Sequence, residues 1–152
     1  MIDRSEINRR LVRLAESPNI RFWRVAYDQL SLPERVFGLI WEFESEVNNG
    51  GFLQYFRNSS GAHAPEIADA LEAIGASATA IIVERALELA GQDIVWSNED
   101  ARQAAINRLP STIREKLNEL DQAFYKCQDD LTRLLYDYVK EHGREIDTPP
   151  DF

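Results

Sequence analysis

The chain has 152 residues, 44% of them hydrophobic, and a net charge of −9. That length fits one domain burying about two-thirds of its unfolded surface, and that hydrophobic content excludes a disordered chain. No apolar run approaches the roughly 20 residues of a membrane span, no apolar leader opens the chain, and the single cysteine, Cys127, excludes an internal disulfide; a cytoplasmic setting is expected.

The charge is unevenly spread. Residues 1–36 hold seven arginines against five acids, whereas residues 37–100 hold eleven acids against Arg57 and Arg85. Residues 101–152 hold ten acids and eight bases, so the middle third carries the acidic excess. Such a surface repels nucleic acid and attracts basic partners. It also serves solubility, and composition does not separate the two uses.

Helical spacing dominates the chain in order. Ile7, Leu11 and Leu14 share a face over residues 4–15, with Arg9, Arg10 and Arg13 opposite, and Ser17-Pro18-Asn19 ends that helix. Arg4, Arg9, Arg10 and Arg13 are expected to pair with the acidic middle or to meet solvent. A short aromatic segment follows over residues 20–30, with Phe22, Trp23 and Tyr27. Ser31 and Glu34 form a capping box that opens a central helix over 32–49, burying Val36, Ile40, Phe43 and Val47. Glu42 and Glu46 fall on its other side. Gly50-Gly51 breaks it, because glycine reaches left-handed backbone angles cheaply, and a short helix over 51–58 carries Phe52 and Phe56.

Ala64-Pro65-Glu66 opens a further helix that ends at Ile74 and Gly75, and Ser77 caps the next, which Gly91 closes. Asp93 to Trp96 reads as a loop anchored by Trp96, and Ser97 with Asp100 starts a helix to Leu109. Beyond Pro110, apolar residues from Ile113 to Tyr138, Cys127 among them, recur by threes and fours. They predict one long helix, or two nearly collinear ones split near Asp121, ending at Gly143. The expected fold is all-α, a compact array of seven to eight helices in one domain over 1–152. Residues 1–29 form N-terminal helices, and 144–152 form a tail.

Chemistry-bearing residues are few. Cys127 lies on an apolar stripe without an activating His, and His63 has no His or Cys partner at metal spacing. His142 suits a helix C-terminus. Glu42/Glu46 and Asp129/Asp130 are the carboxylate pairs available for acid–base work, with nothing polar converging on either. No phosphate-binding glycine loop is present. The pattern predicts no catalytic residue, no metal and no cofactor. Trp23, Trp41 and Trp96 suit either a core or an interface.

The stretch from Glu46 to Gly61, EVNNGGFLQYFRNSSG, resembles the signature of a bacterial family of DNA-mimic proteins. Ala70–Ala76, Leu120–Tyr125 and Asp129–Leu135 support the resemblance, which spans about residues 30–142. It implies an all-helical protein that presents carboxylates in place of DNA phosphates to the basic face of a helix-turn-helix transcription regulator. It also implies a homodimer. Glu42, Glu46, Asp69, Glu72, Glu84 and Glu88 are the candidate partner-binding carboxylates. Pairs four apart on a helix lie about 6 Å apart along its axis. Alternate charges along one DNA strand, spaced about 3.4 Å each, give a comparable separation.

The motif residues Asn48, Asn49, Gly50, Gly51, Phe52, Gln54, Tyr55, Phe56 and Asn58 are open to two readings. They form a structural core with internal caps, or they line a polar site. Three functions follow. The first is a non-enzymatic acidic protein that binds a basic DNA-binding protein and touches neither nucleic acid nor membrane. The second is a small-molecule binder or enzyme using Asn48, Asn49, Gln54 and Asn58. The third is an immunity or antitoxin-type protein that neutralises a basic partner.

Overall fold

The longest helix, α2 (Leu32–Arg57), starts at the expected capping box. The Ser31 hydroxyl accepts from the Glu34 N–H, and the Glu34 carboxylate accepts from the Ser31 N–H. Its apolar face runs through Val36, Ile40, Phe43, Val47, Phe52 and Phe56, all essentially without exposure. Each such burial stabilises the fold by about 1.5–3 kcal/mol. α2 lies at the centre of the molecule. The structure is a computed structural model that describes residues 2–152; Met1, the start of the expected domain, lies outside them.

Around α2 stand α1 (Arg4–Glu16), α3 (Ile67–Ala73), α4 (Ser77–Ala90), α5 (Glu99–Asn107), α6 (Ser111–Tyr125), α7 (Leu131–Glu141) and the short α8 (Gly143–Ile146). α2 packs against α3, α5, α6, α7 and α8, while α1 rests on α7 and α4 bridges α3 and α6. The described residues thus hold eight α-helices and no strand, in the all-α arrangement expected.

Several local expectations need correction. Residues 1–29 hold one α-helix; the aromatic segment is a strap of turns with a 3-10 turn at Tyr27–Gln29. Tertiary anchors hold it there. Arg21 donates to both oxygens of Glu34 at 2.8 and 2.7 Å, and the Phe22 ring sits on Gly38. A Cβ at Gly38 would meet that ring at 2.1 Å, so the close approach requires glycine. Residues Ser59–Glu66 form a 3-10 segment, and α3 begins only at Ile67.

The C-terminal stripe is two helices broken at residues 126–130, not near Asp121, because Asp130 caps α7 by accepting from the Arg133 N–H. Cys127 therefore sits in a connection. Asn98, not Ser97, caps α5. The tail is docked: Ile146 is fully buried, and Phe152 packs on Tyr136 at 5.4 Å. The α1 arginines pair with Glu6, Asp130 and Asp151 rather than with the acidic middle.

Candidate functional site

The motif is built around the break in α2. Gly51 has φ 78° and ψ −173°, a conformation that only glycine adopts readily. The break frees an N–H and a carbonyl, and α6 supplies a partner for each. The Phe52 N–H donates to the Asp121 carboxylate at 2.8 Å, and the Tyr125 hydroxyl donates to the Val47 carbonyl at 2.9 Å. Burial raises the Asp121 carboxyl above its usual range, and the bond from Phe52 opposes that shift.

Arg102 of α5 closes the far end of α2. It is buried, and it donates to the carbonyls of Phe56, Asn58 and Trp96 at 3.0, 3.1 and 2.7 Å. A cation at a helix C-terminus is favourable against the helix dipole, so the charge is satisfied without a carboxylate. Phe52, Tyr55 and Phe56 are core residues; the Phe52 and Tyr55 rings each meet Phe56 at a tilt, and Phe56 also meets Trp96.

The four motif amides do not share one site. Gln54 and Asn58 both donate to one oxygen of Glu46, at 2.8 and 3.0 Å. Gln54 folds over Gly50, where a Cβ would collide with its amide. Asn49 is exposed. Asn48 points away from this group. With Arg4, Glu44, Thr79, Tyr125 and Gln128 it lines an open polar cleft of about 410 Å³. Burial raises the Glu44 carboxyl there.

The acidic candidates fall into two kinds. Asp69 and Glu72 on α3, and Glu84 and Glu88 on α4, are exposed. Ser77 bridges to Glu72 at 2.9 Å, and Arg85 with Lys116 stands beside Glu88. Glu42 and Glu46 are instead half-buried and bonded within the chain. Glu42 accepts from the Trp23 indole N–H at 2.8 Å. Its carboxyl is raised, first by burial, against the Trp23 bond, with Glu46 adding repulsion.

Tyr55 is 1% exposed and its hydroxyl has no partner; burial first, then the charges of Glu42, Glu66 and Tyr27, raise its phenol well above the usual range. Tyr27 stacks on His63 at 4.4 Å, and burial lowers the His63 value so that the neutral ring is favoured.

The remaining chemical candidates have structural roles. Asp129 accepts from the backbone N–H and the hydroxyl of Thr79, at 2.8 and 2.9 Å, which caps α4; Ser77 does not. Cys127 lies 3.3 Å from the same hydroxyl. His142 ends α7 against Tyr138. Among the described residues no group of three His, Cys, Asp or Glu side chains is arranged to hold a metal ion, and no helix is long and apolar enough to cross a membrane.

Asp121 and Tyr125 could have been found from the sequence, since both lie in the Leu120–Tyr125 segment that supports the family likeness. Arg102 carries no such signal. Compared with known proteins, the chain matches a family described as DMP19-like protein over residues 28–142. No curated protein and no solved structure matches it.

Proposed function

The chain belongs to the DMP19-like protein family, a family of DNA mimics, and on that premise we propose that it is a non-enzymatic acidic protein that binds the basic face of a DNA-binding protein. The partner class that fits is a helix-turn-helix transcription regulator. The observation that carries this reading is the placement of the acidic excess of residues 37–100. Asp69, Glu72, Glu84 and Glu88 stand exposed on neighbouring helices, where a surface built for phosphates would meet them. Glu42 and Glu46 add a fixed pair on α2.

The test is capture of partners from a lysate at low salt, followed by elution with duplex DNA. Release of a DNA-binding protein by DNA is expected, because both ligands compete for one basic surface. Combined Asp69→Lys, Glu72→Lys, Glu84→Lys and Glu88→Lys substitution should abolish capture. These side chains are exposed, so the fold is expected to persist. Unchanged capture would refute the reading. A partner that DNA cannot displace would favour the immunity-type role. Sedimentation of the purified protein tests the homodimer.

The cleft at Arg4, Glu44 and Asn48 favours a second reading, a small polar ligand held by that part of the motif. A copurified small molecule, seen by native mass spectrometry and lost in Asn48→Ala, would support it.

A further inference from the structure

We infer that the edge of α2 carrying Glu42 and Glu46, with Trp23 laid beside it, is an arginine-reading contact. A guanidinium of the basic partner stacks on the Trp23 indole and donates to the free oxygens of the two carboxylates. This rests on the proposal that the protein binds a basic partner, and it names the side chain read and the place that reads it.

Trp23 is 45% exposed, yet it is held in place. Its indole N–H is tied to Glu42, and its ring meets the edge of Phe22 at 5.3 Å. Phe22 in turn is seated on Gly38. An exposed tryptophan that has already lost its rotamer freedom suits a binding anchor, since little ordering remains to be done on contact.

The carboxylates are arranged in the same way. Glu42 receives Trp23 on Oε1, and Glu46 receives Gln54 and Asn58 on Oε2. Each is fixed through one oxygen, and the other oxygen has no partner among the described residues. Neither carboxylate is paired with a Lys or Arg of the described chain.

A further feature lies in the interior: the Tyr55 hydroxyl is buried without a partner, and burial first, then the charges of Glu42 and Glu66, raise its phenol. The occupant that answers the exposed indole and the two carboxylates is cationic, planar and rich in N–H donors. Arginine fits because its guanidinium stacks on aromatic faces and offers a rigid donor fork, whereas lysine is a strongly hydrated point charge. The chain already uses this geometry nearby: the Arg35 guanidinium lies 4.7 Å from the centre of the Tyr27 ring.

The probes are nona-arginine and nona-lysine peptides, titrated into the full chain at low salt. Affinity and the Trp23 indole N–H resonance are followed together. Wild type should bind nona-arginine more tightly than nona-lysine, with the Trp23 resonance shifting. Trp23→Ala should weaken nona-arginine about fivefold, as loss of one partly desolvated cation–π contact implies. Trp23→Phe, which keeps a ring face, should retain most of the affinity, and Glu42→Gln should weaken binding comparably to Trp23→Ala. Thermal melts check that the variants fold. If wild type binds nona-arginine but Trp23→Ala binds it equally and the indole resonance stays still, the inference is overturned while the proposed function stands. If wild type binds neither peptide, the inference is overturned, and the lysate capture decides the proposed function.

Discussion

Replacing Gly51 by alanine should destabilise the protein by about 2–6 kcal/mol, from two separable sources. The first is backbone strain. At φ 78° and ψ −173° a side chain costs about 1–3 kcal/mol. The second is the approach of α6. A Cβ on Gly51 would lie 2.2 Å from an Asp121 oxygen, so that carboxylate must withdraw and release the Phe52 N–H. A buried donor left without its charged acceptor costs about 1–3 kcal/mol more. For a chain of this size each kcal/mol lowers Tm by about 2–4 °C, so a fall of roughly 5–20 °C is expected.

The assay is a double-mutant cycle by urea or thermal unfolding of wild type, Gly51→Ala, Asp121→Ala and the pair. Asp121→Ala loses the same hydrogen bond and removes the clash. The double variant should therefore retain only the strain as an additional cost, and the two effects should fall short of additivity by about 1–3 kcal/mol. If Gly51→Ala stays within about 0.5 kcal/mol of wild type, or if the two effects simply add, the account of the break is wrong.

Arg102→Met should cost about 2–5 kcal/mol, because it leaves the carbonyls at the end of α2 without donors in a buried setting; Arg102→Lys should not restore stability, since an ammonium lacks the planar fork. Chemical denaturation of the three proteins checks this. Glu34 provides a pH test. Arg21 and the Ser31 cap hold its carboxyl at about 2 against the usual 4.5, so its contribution is full above pH 4.5 and is lost as pH falls towards 2. That contribution is on the order of 2 kcal/mol, reduced because the Arg21 side chain is half-exposed. Glu34→Gln should be less stable than wild type at neutral pH, and the gap should close in acid. Glu42, Glu44 and Asp121 are shifted upwards and titrate with the opposite sign, so only the difference between the two proteins isolates Glu34. A gap that stays constant from pH 7 to pH 2 would contradict the reading.

Much of the local chemistry with a cause within a few residues was legible in the sequence, although the caps at Asn98 and Asp130 were not. The Ser31–Glu34 capping box, the apolar period through Ile40, Phe43 and Val47, and the break at Gly50-Gly51 all depend on neighbours one turn away. Those determined an all-helical chain with α2 at its centre. Tertiary structure decided everything that depends on a distant partner. The 20–30 segment is a strap because Arg21 finds Glu34 and Phe22 finds Gly38. Asp129 looked like half of a carboxylate pair and proves to be the cap of α4, while Asp121 and Tyr125 close the two ends of a break 69 and 78 residues away.

The acidic residues illustrate the same division. Composition placed the excess in the middle third and could not distinguish exposed Glu84 from Glu46, which anchors Gln54 and Asn58. Nor could it show that Trp23 would sit beside Glu42. Hydrogen bonds between groups far apart in the chain leave no periodicity to read, because the geometry that satisfies them exists only once the helices have packed.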